Sequence, residues 1–230
     1  MSYPQLQMLI AGEWTNGTSG VTENVICPAD GTVLGELPHA SKEDLDDALN
    51  SSLEGFNKWR SETPLKRQSV LEKAAKILER EFDKNSENLT REMGKPLAEA
   101  KIEMQVAIDL LRWYGEEGKR VYGRIIPSRI PNMEHEARKV PVGPVLAFVA
   151  WNFPATNVMR KVAGALAAGC SITIKPSEET PATAIAIGQA LMEAGLPAGV
   201  LNIVFGVPSE VSEHLLASPI PRKLSFTGSV

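Results

Sequence analysis

The chain has 230 residues, 24 Lys+Arg against 28 Asp+Glu, and a formal net charge of -4. Hydrophobic residues at 43% and charged residues at 23% are values of a globular protein and exclude disordered and collagen-like classes; at about 150 residues per domain the length allows one to two domains. The acidic balance gives no electrostatic footprint for nucleic acid. No apolar run approaches the roughly 18 residues of a membrane helix, and MSYPQLQMLIAGEW lacks the basic start and apolar block of a signal peptide. Cys27 and Cys170 cannot staple a scaffold this large, so a reducing cytoplasm is the expected compartment.

Residues 1–120 read as strands and then helices. Met8 to Trp14 is predicted as one strand, with Asn16-Gly17 as its hairpin-type turn. Cys27-Pro28 and Asp30-Gly31 mark a turn before a strand from Thr32 to Leu37. Ser41 is a good N-cap with Asp44 three residues on, and Leu45, Leu49, Leu53 and Phe56 keep helical spacing to Trp59. Thr63-Pro64 opens a second helix, with Leu71, Ala74, Ala75, Leu78 and Phe82 as its buried stripe. A third helix is predicted from Ser86 to Met93, stopped by Gly94. Pro96 opens a fourth, with Ile102, Val106, Leu110 and Trp113 on one side and Gly115 and Gly118 weakening its end.

Residues 121–142 break any helix with Pro127, Pro131 and Pro141. Ile125-Ile126 and Ala137 to Val140 read as a protruding β ribbon. Such a ribbon often joins subunits, although edge strands and linkers look the same in sequence.

Residues 143–230 alternate strands and helices: Val145 to Val149, Thr156 to Ala168, Ser171 to Lys175, Thr180 to Ala194, Val200 to Phe205, Ser209 to Ala217, Lys223 to Phe226. This rhythm predicts an α/β fold, a Rossmann-like parallel sheet with flanking helices joined by right-handed crossovers. Such sheets bind ligands beyond the carboxyl ends of their strands.

The residues with chemistry fall there. The dinucleotide fingerprint G-x-G-x-x-G is absent after the first of these strands, where Trp151-Asn152-Phe153-Pro154 stands instead. An Asn amide at that position can donate to a developing oxyanion; the same four residues also suit a plain turn into a helix. After the second strand, Lys175 and Glu178 or Glu179 can meet a ribose, while Thr180 and Pro181 also read as an ordinary N-cap and first helical residue. Gly206 and Gly228-Ser229 end the next two strands, where backbone can approach a phosphate. Arg160 and Lys161 are adjacent cations in an apolar helix: one can snorkel to solvent, the other can pair a carboxylate, a task that suits arginine better. Cys170 ends a small-residue run and reads as core. His39, His135 and His214 lack metal-ligand spacing, so no metal is expected.

Taken in order, Trp151-Asn152-Phe153-Pro154, Lys175-Pro176-Ser177-Glu178-Glu179-Thr180-Pro181 and Phe226-Thr227-Gly228-Ser229 resemble the aldehyde dehydrogenase superfamily. Glu92 to Ala100 and Arg120-Val121-Tyr122-Gly123 resemble its succinate-semialdehyde dehydrogenase-like branch. The resemblance implies oxidation of an aldehyde to a carboxylic acid with NAD or NADP. A cysteine thiolate attacks the carbonyl, hydride passes from the thiohemiacetal to the nicotinamide, and a glutamate activates the hydrolytic water. Asn152 matches the oxyanion donor, Trp151 a cofactor-lining position, Lys175 and Glu178 the adenosine-ribose contacts, and Ser229 the diphosphate-facing helix start. Arg160 matches a substrate-carboxylate contact, which favours a short dicarboxylic semialdehyde such as succinic semialdehyde. Glu178 repels a 2′-phosphate, so NAD is the first choice, and Lys175 leaves room for NADP. A homo-oligomer is expected of the complete enzyme.

Two departures accompany the resemblance. The family's nucleophile and general base follow the Phe-Thr-Gly-Ser motif, one residue before Val230, and neither Cys27 nor Cys170 matches the nucleophile. The stretch after Gly206 lacks a second nearby glycine, which leaves its diphosphate contacts open. The expectation is therefore the N-terminal half of such an enzyme, inactive as a 230-residue chain. The alternative is a non-catalytic paralogue that binds nucleotide or a full-length partner.

Overall fold

The computed structural model describes residues 3–228. At the N-terminus, β1 (Met8–Ile10) and β2 (Glu13–Thr15) pair antiparallel, Leu9 opposite Trp14. Their turn is Ala11-Gly12, with φ of 54° and 90°. Two left-handed residues make the turn that matches the twist of a hairpin. A Cβ on Gly12 would lie 2.6 Å from the Ala198 Cβ, so only glycine fits. The predicted single strand from Met8 to Trp14 is thus two strands, and Asn16-Gly17 is not its turn. The next pair is β3 (Thr22–Ile26) and β4 (Val33–Pro38). It closes across the expected Cys27–Gly31 turn, where the Cys27 N–H donates to Thr32 O at 2.8 Å.

The helices of the first half start where their side chains say. In α1 (Lys42–Trp59), Ser41 Oγ accepts from the Asp44 amide at 3.1 Å and Asp44 Oδ2 accepts from the Ser41 amide at 2.8 Å. In α2 (Pro64–Arg80), Thr63 Oγ1 accepts from the Lys66 amide at 3.2 Å. Phe82 opens α3 (Phe82–Met93) instead of closing α2, and Gly94 ends α3 in the left-handed conformation.

The fourth helix, α4 (Leu97–Gly118), corrects the predicted stripe. Ile102 is 66% exposed and Trp113 64%. The buried face carries Ala100, Glu103, Met104, Ala107, Ile108 and Leu111. Small residues let α4 lie close to α2 and to the later α5 (Pro154–Ala167), so packing overrode the bulkier stripe. α4 ends at Gly118, where a Cβ would sit 2.9 Å from the Ala167 carbonyl oxygen, so the glycine also permits a close approach.

The main sheet has the order β10-β7-β8-β9-β1-β2. Strands β7 (Val145–Phe148), β8 (Ile172–Lys175), β9 (Leu201–Ile203) and β10 (Lys223–Phe226) run parallel. The register sets Phe148 beside both Lys175 and Phe226, so these three strands end together at one edge. The N-terminal hairpin extends the sheet antiparallel through Leu9 and Ile203. Helices α5 (Pro154–Ala167) and α6 (Pro181–Glu193) pack together and against α2, while α1 packs with α7 (Pro208–Ala217). β7, β8 and β9 are wholly buried, as a sheet covered on both faces requires. The ribbon of β5 (Arg124–Pro127) and β6 (Glu134–Ala137) is a separate two-stranded sheet, exposed throughout. No helix among the described residues is long and apolar enough to cross a membrane.

Candidate active site

The carboxyl ends of β10, β7 and β8 enclose a crevice of about 390 Å³. Lys175 ends β8 and is buried. Its Nζ donates to Glu178 Oε1 and, at 3.3 Å, to the Pro176 carbonyl. Glu178 also accepts from the Gly206 amide at 3.3 Å. Phe226, Thr227 and Gly228 line the opposite side. The structure therefore brings Lys175, Glu178 and Gly228 to one crevice, with Gly206 bound to Glu178. Ser229 lies outside the described residues.

The Trp151–Phe153 turn separates this crevice from a second cavity. Ala150 lines the first, and Phe153 lines the second, which measures about 380 Å³. Asn152, in that turn, lines neither cavity and has an exposed side chain, and Trp151 is half exposed. Asn152 Oδ1 accepts from Asn157 Nδ2 at 3.3 Å. Ile102, Val106 and Phe153 give the second cavity apolar walls, and Arg160 lines it as an exposed guanidinium without an ion-pair partner among the described residues. Lys161 turns the other way: its Nζ donates to Ser225 Oγ at 3.1 Å and Thr227 Oγ1 at 2.8 Å, and burial lowers its pKa.

Both helices that start at the strand ends lack a cap of their own. Asn152 makes no cap bond to α5, and Thr180 occupies the N-cap position of α6 without capping it. Two buried glutamates from distant helices do the work. Glu103 Oε1 accepts from the Ala155 amide at 2.8 Å and the Thr156 amide at 3.1 Å. Its Oε2 pairs with Lys95 Nζ, which also donates to the Asn152 carbonyl at 3.4 Å and lies 4.4 Å over the Phe153 ring. Glu92 accepts from the amides of Ala182 at 2.8 Å and Thr183 at 3.1 Å, from the Thr183 hydroxyl, and from Tyr3 Oη at 2.8 Å. Burial pushes the Glu92 carboxyl up to about 7 against these donors, and burial beside Glu92 raises the Tyr3 phenol as well.

The sequence reasoning missed the capping roles of Glu92, Lys95 and Glu103, and the contact of Asn157. One signal was available: Glu103 is a charge on the helical stripe of Ala100, Ala107 and Leu111. Choosing the bulkier stripe of α4 hid it. Cys27 and Cys170 are free and buried, 8% and 2% exposed, so neither thiol faces either cavity. A larger cavity of about 760 Å³, beside Ser41, Lys42 and His214, holds none of the predicted site residues.

The model of the aldehyde dehydrogenase family matches residues 14–230. This chain belongs to that family. It is 47% identical over 224 residues to 4-(hydroxymethyl)benzenesulfonate dehydrogenase of Comamonas testosteroni, covering 97% of this chain and 47% of that protein. It is 39% identical over 223 residues to the NADP(+) succinate-semialdehyde dehydrogenase of Escherichia coli, covering 97% and 46%. The crystal structure of succinate-semialdehyde dehydrogenase from Burkholderia pseudomallei superposes with a TM-score of 0.97 at 39% identity, covering 99% of this chain and 47% of that one. The chain thus spans about half the length of the curated relatives it matches.

Proposed function

We propose that these residues form the cofactor half-site and the oxyanion donor of an NAD(P)-dependent oxidation of an aldehyde that carries an anionic group. The observation that carries this reading is the placement of Asn152. Its exposed side chain lies in the turn between Ala150, which lines a crevice holding an ammonium and a carboxylate, and Phe153, which lines a cavity holding a guanidinium without an ion-pair partner among the described residues. A dinucleotide suits the first: its volume lies in the range of ligand pockets, and the Glu178 carboxylate can accept ribose hydroxyls at the switch edge of the sheet. Lys175, Glu178, Gly206, Gly228, Ser229 and Trp151 would hold the cofactor, which supplies the hydride acceptor. NAD is favoured because Glu178 repels a 2′-phosphate, with NADP second through Lys175.

In the second cavity, Arg160 takes the anion of the substrate. Relatives named for succinate semialdehyde and for a benzenesulfonate both act on molecules with an anion distal to the reacting carbon. A short dicarboxylic semialdehyde such as succinic semialdehyde is the first choice. Asn152 Nδ2 donates to the carbonyl oxygen as charge builds on it, a contact typically worth about 10²–10³ in rate. The nucleophile is neither Cys27 nor Cys170, because both thiols are buried. We infer that the 230-residue chain alone does not turn over. That burial is also what favours the second reading, a non-catalytic module that binds nucleotide or a full-length partner.

The test is NADH and NADPH titration of the chain by fluorescence, with Lys175→Ala and Glu178→Ala. NADH is expected to bind, and each variant to weaken it; no binding of either nucleotide at millimolar concentration rejects the cofactor site. Succinic semialdehyde is then added with NAD. Steady NADH production by the chain alone overturns the inference about the nucleophile. In a preparation that does turn over, Arg160→Leu is expected to raise KM for succinic semialdehyde far more than for an uncharged aldehyde of similar length.

A further inference from the structure

An asparagine amide has two opposite ends, and only one of them helps a developing oxyanion. The NH2 end donates to it, and the oxygen end repels it. The chain must therefore decide which end Asn152 presents. Its backbone is already held: Lys95 Nζ donates to the Asn152 carbonyl at 3.4 Å and covers the Phe153 ring, and Glu103 holds the Ala155 and Thr156 amides. These contacts fix the turn and leave the rotation of the Asn152 amide open.

The remaining contact closes that freedom. Asn157 lies in the first turns of α5, its own amide donating to the Phe153 carbonyl at 2.8 Å. From there its Nδ2 reaches Asn152 Oδ1 at 3.3 Å. With the oxygen end engaged, the NH2 end is the one left to donate. We propose that Asn157 is a positioning residue that sets the orientation of the Asn152 amide. The proposal rests on the reading of Asn152 as an oxyanion donor, and it goes beyond that reading by naming the residue that makes Asn152 a donor.

Asn157→Asp reverses the chemistry at one atom. A carboxylate can only accept, so it takes an Nδ2 proton of Asn152 and turns the amide round. The measurement is side-chain amide NMR on the ¹⁵N-labelled chain, with the Asn152 NH2 pair assigned by its loss in Asn152→Asp. In the unsubstituted chain those protons are expected to exchange at solvent-exposed rates. In Asn157→Asp one of them is expected to move downfield, and its exchange to slow about tenfold, as a charge-assisted bond implies. Asn157→Gln keeps an N–H donor and is expected to retain the original signature. Backbone amide signals of β7 and β8 report that the fold is intact. Unchanged Asn152 side-chain shifts and exchange in Asn157→Asp overturn the proposal. The parent reading fails separately: full turnover by an active preparation carrying Asn152→Ala removes the donor role without touching the NMR result.

Discussion

The starts of α5 and α6 solve one problem in two ways. Each helix begins with a proline at the end of a parallel strand, and each takes its cap from a buried glutamate on an earlier helix. Glu103 balances its charge with Lys95. The donors on Glu92 are two amides and two hydroxyls, all uncharged. The difference teaches that a buried carboxylate can be held by a partner cation or by dipoles alone, and the one among dipoles has its pKa raised by burial. The paired one holds the start of α5, next to the Asn152 turn. The titratable one stands under the loop that follows Lys175.

Removing one partner of the charged pair gives the largest expected effect. Glu103→Ala leaves Lys95 buried and two helix amides open, a loss of about 3–5 kcal/mol. Urea unfolding of the chain measures it, and a loss below about 1 kcal/mol would mean that the pair behaves like a surface ion pair. The second effect is a pH dependence confined to Glu92. Its carboxyl is raised in the folded chain from the ordinary 4.5 to about 7. Between those values the folded state binds the proton more tightly than the unfolded state. The associated stability is full below the ordinary carboxylate pKa and is lost as pH rises through 7. Relative to Glu92→Gln, the unsubstituted chain is expected to lose on the order of 3 kcal/mol between pH 4.5 and 8.5. A flat difference across that range would mean that the Glu92 carboxyl is not raised in the folded chain. The smallest effect belongs to a helix that caps itself. Ser41→Ala removes one side of the α1 capping box and is expected to cost about 1 kcal/mol, with no pH dependence above pH 6.

The contrast also explains which parts of the fold were legible. The α1 and α2 caps are short-range bonds between residues three apart, and Ser41 and Thr63 announced them. The strands β7, β8 and β10 were legible as apolar runs between helices, and their carboxyl ends located the crevice that Lys175 and Glu178 share. The N-terminal hairpin was misread because Ala11-Gly12 is a weaker turn signal than Asn16-Gly17. Its true position follows from contact with Ala198, far along the chain. The exposed stripe of α4 was misread because bulk stood in for burial, when Ala100, Ala107 and Glu103 were the residues that packed.

The amino-acid order by itself determined the alternation of strands and helices, the local caps, and the family to which the motifs point. It did so because periodicity and three-residue hydrogen bonds are written within one element. Only the tertiary structure decided that Glu103 would reach α5 across 52 residues and that Glu92 would reach α6. Those contacts depend on how helices sit against one another, and a buried carboxylate finds its donors only after packing has chosen its neighbours.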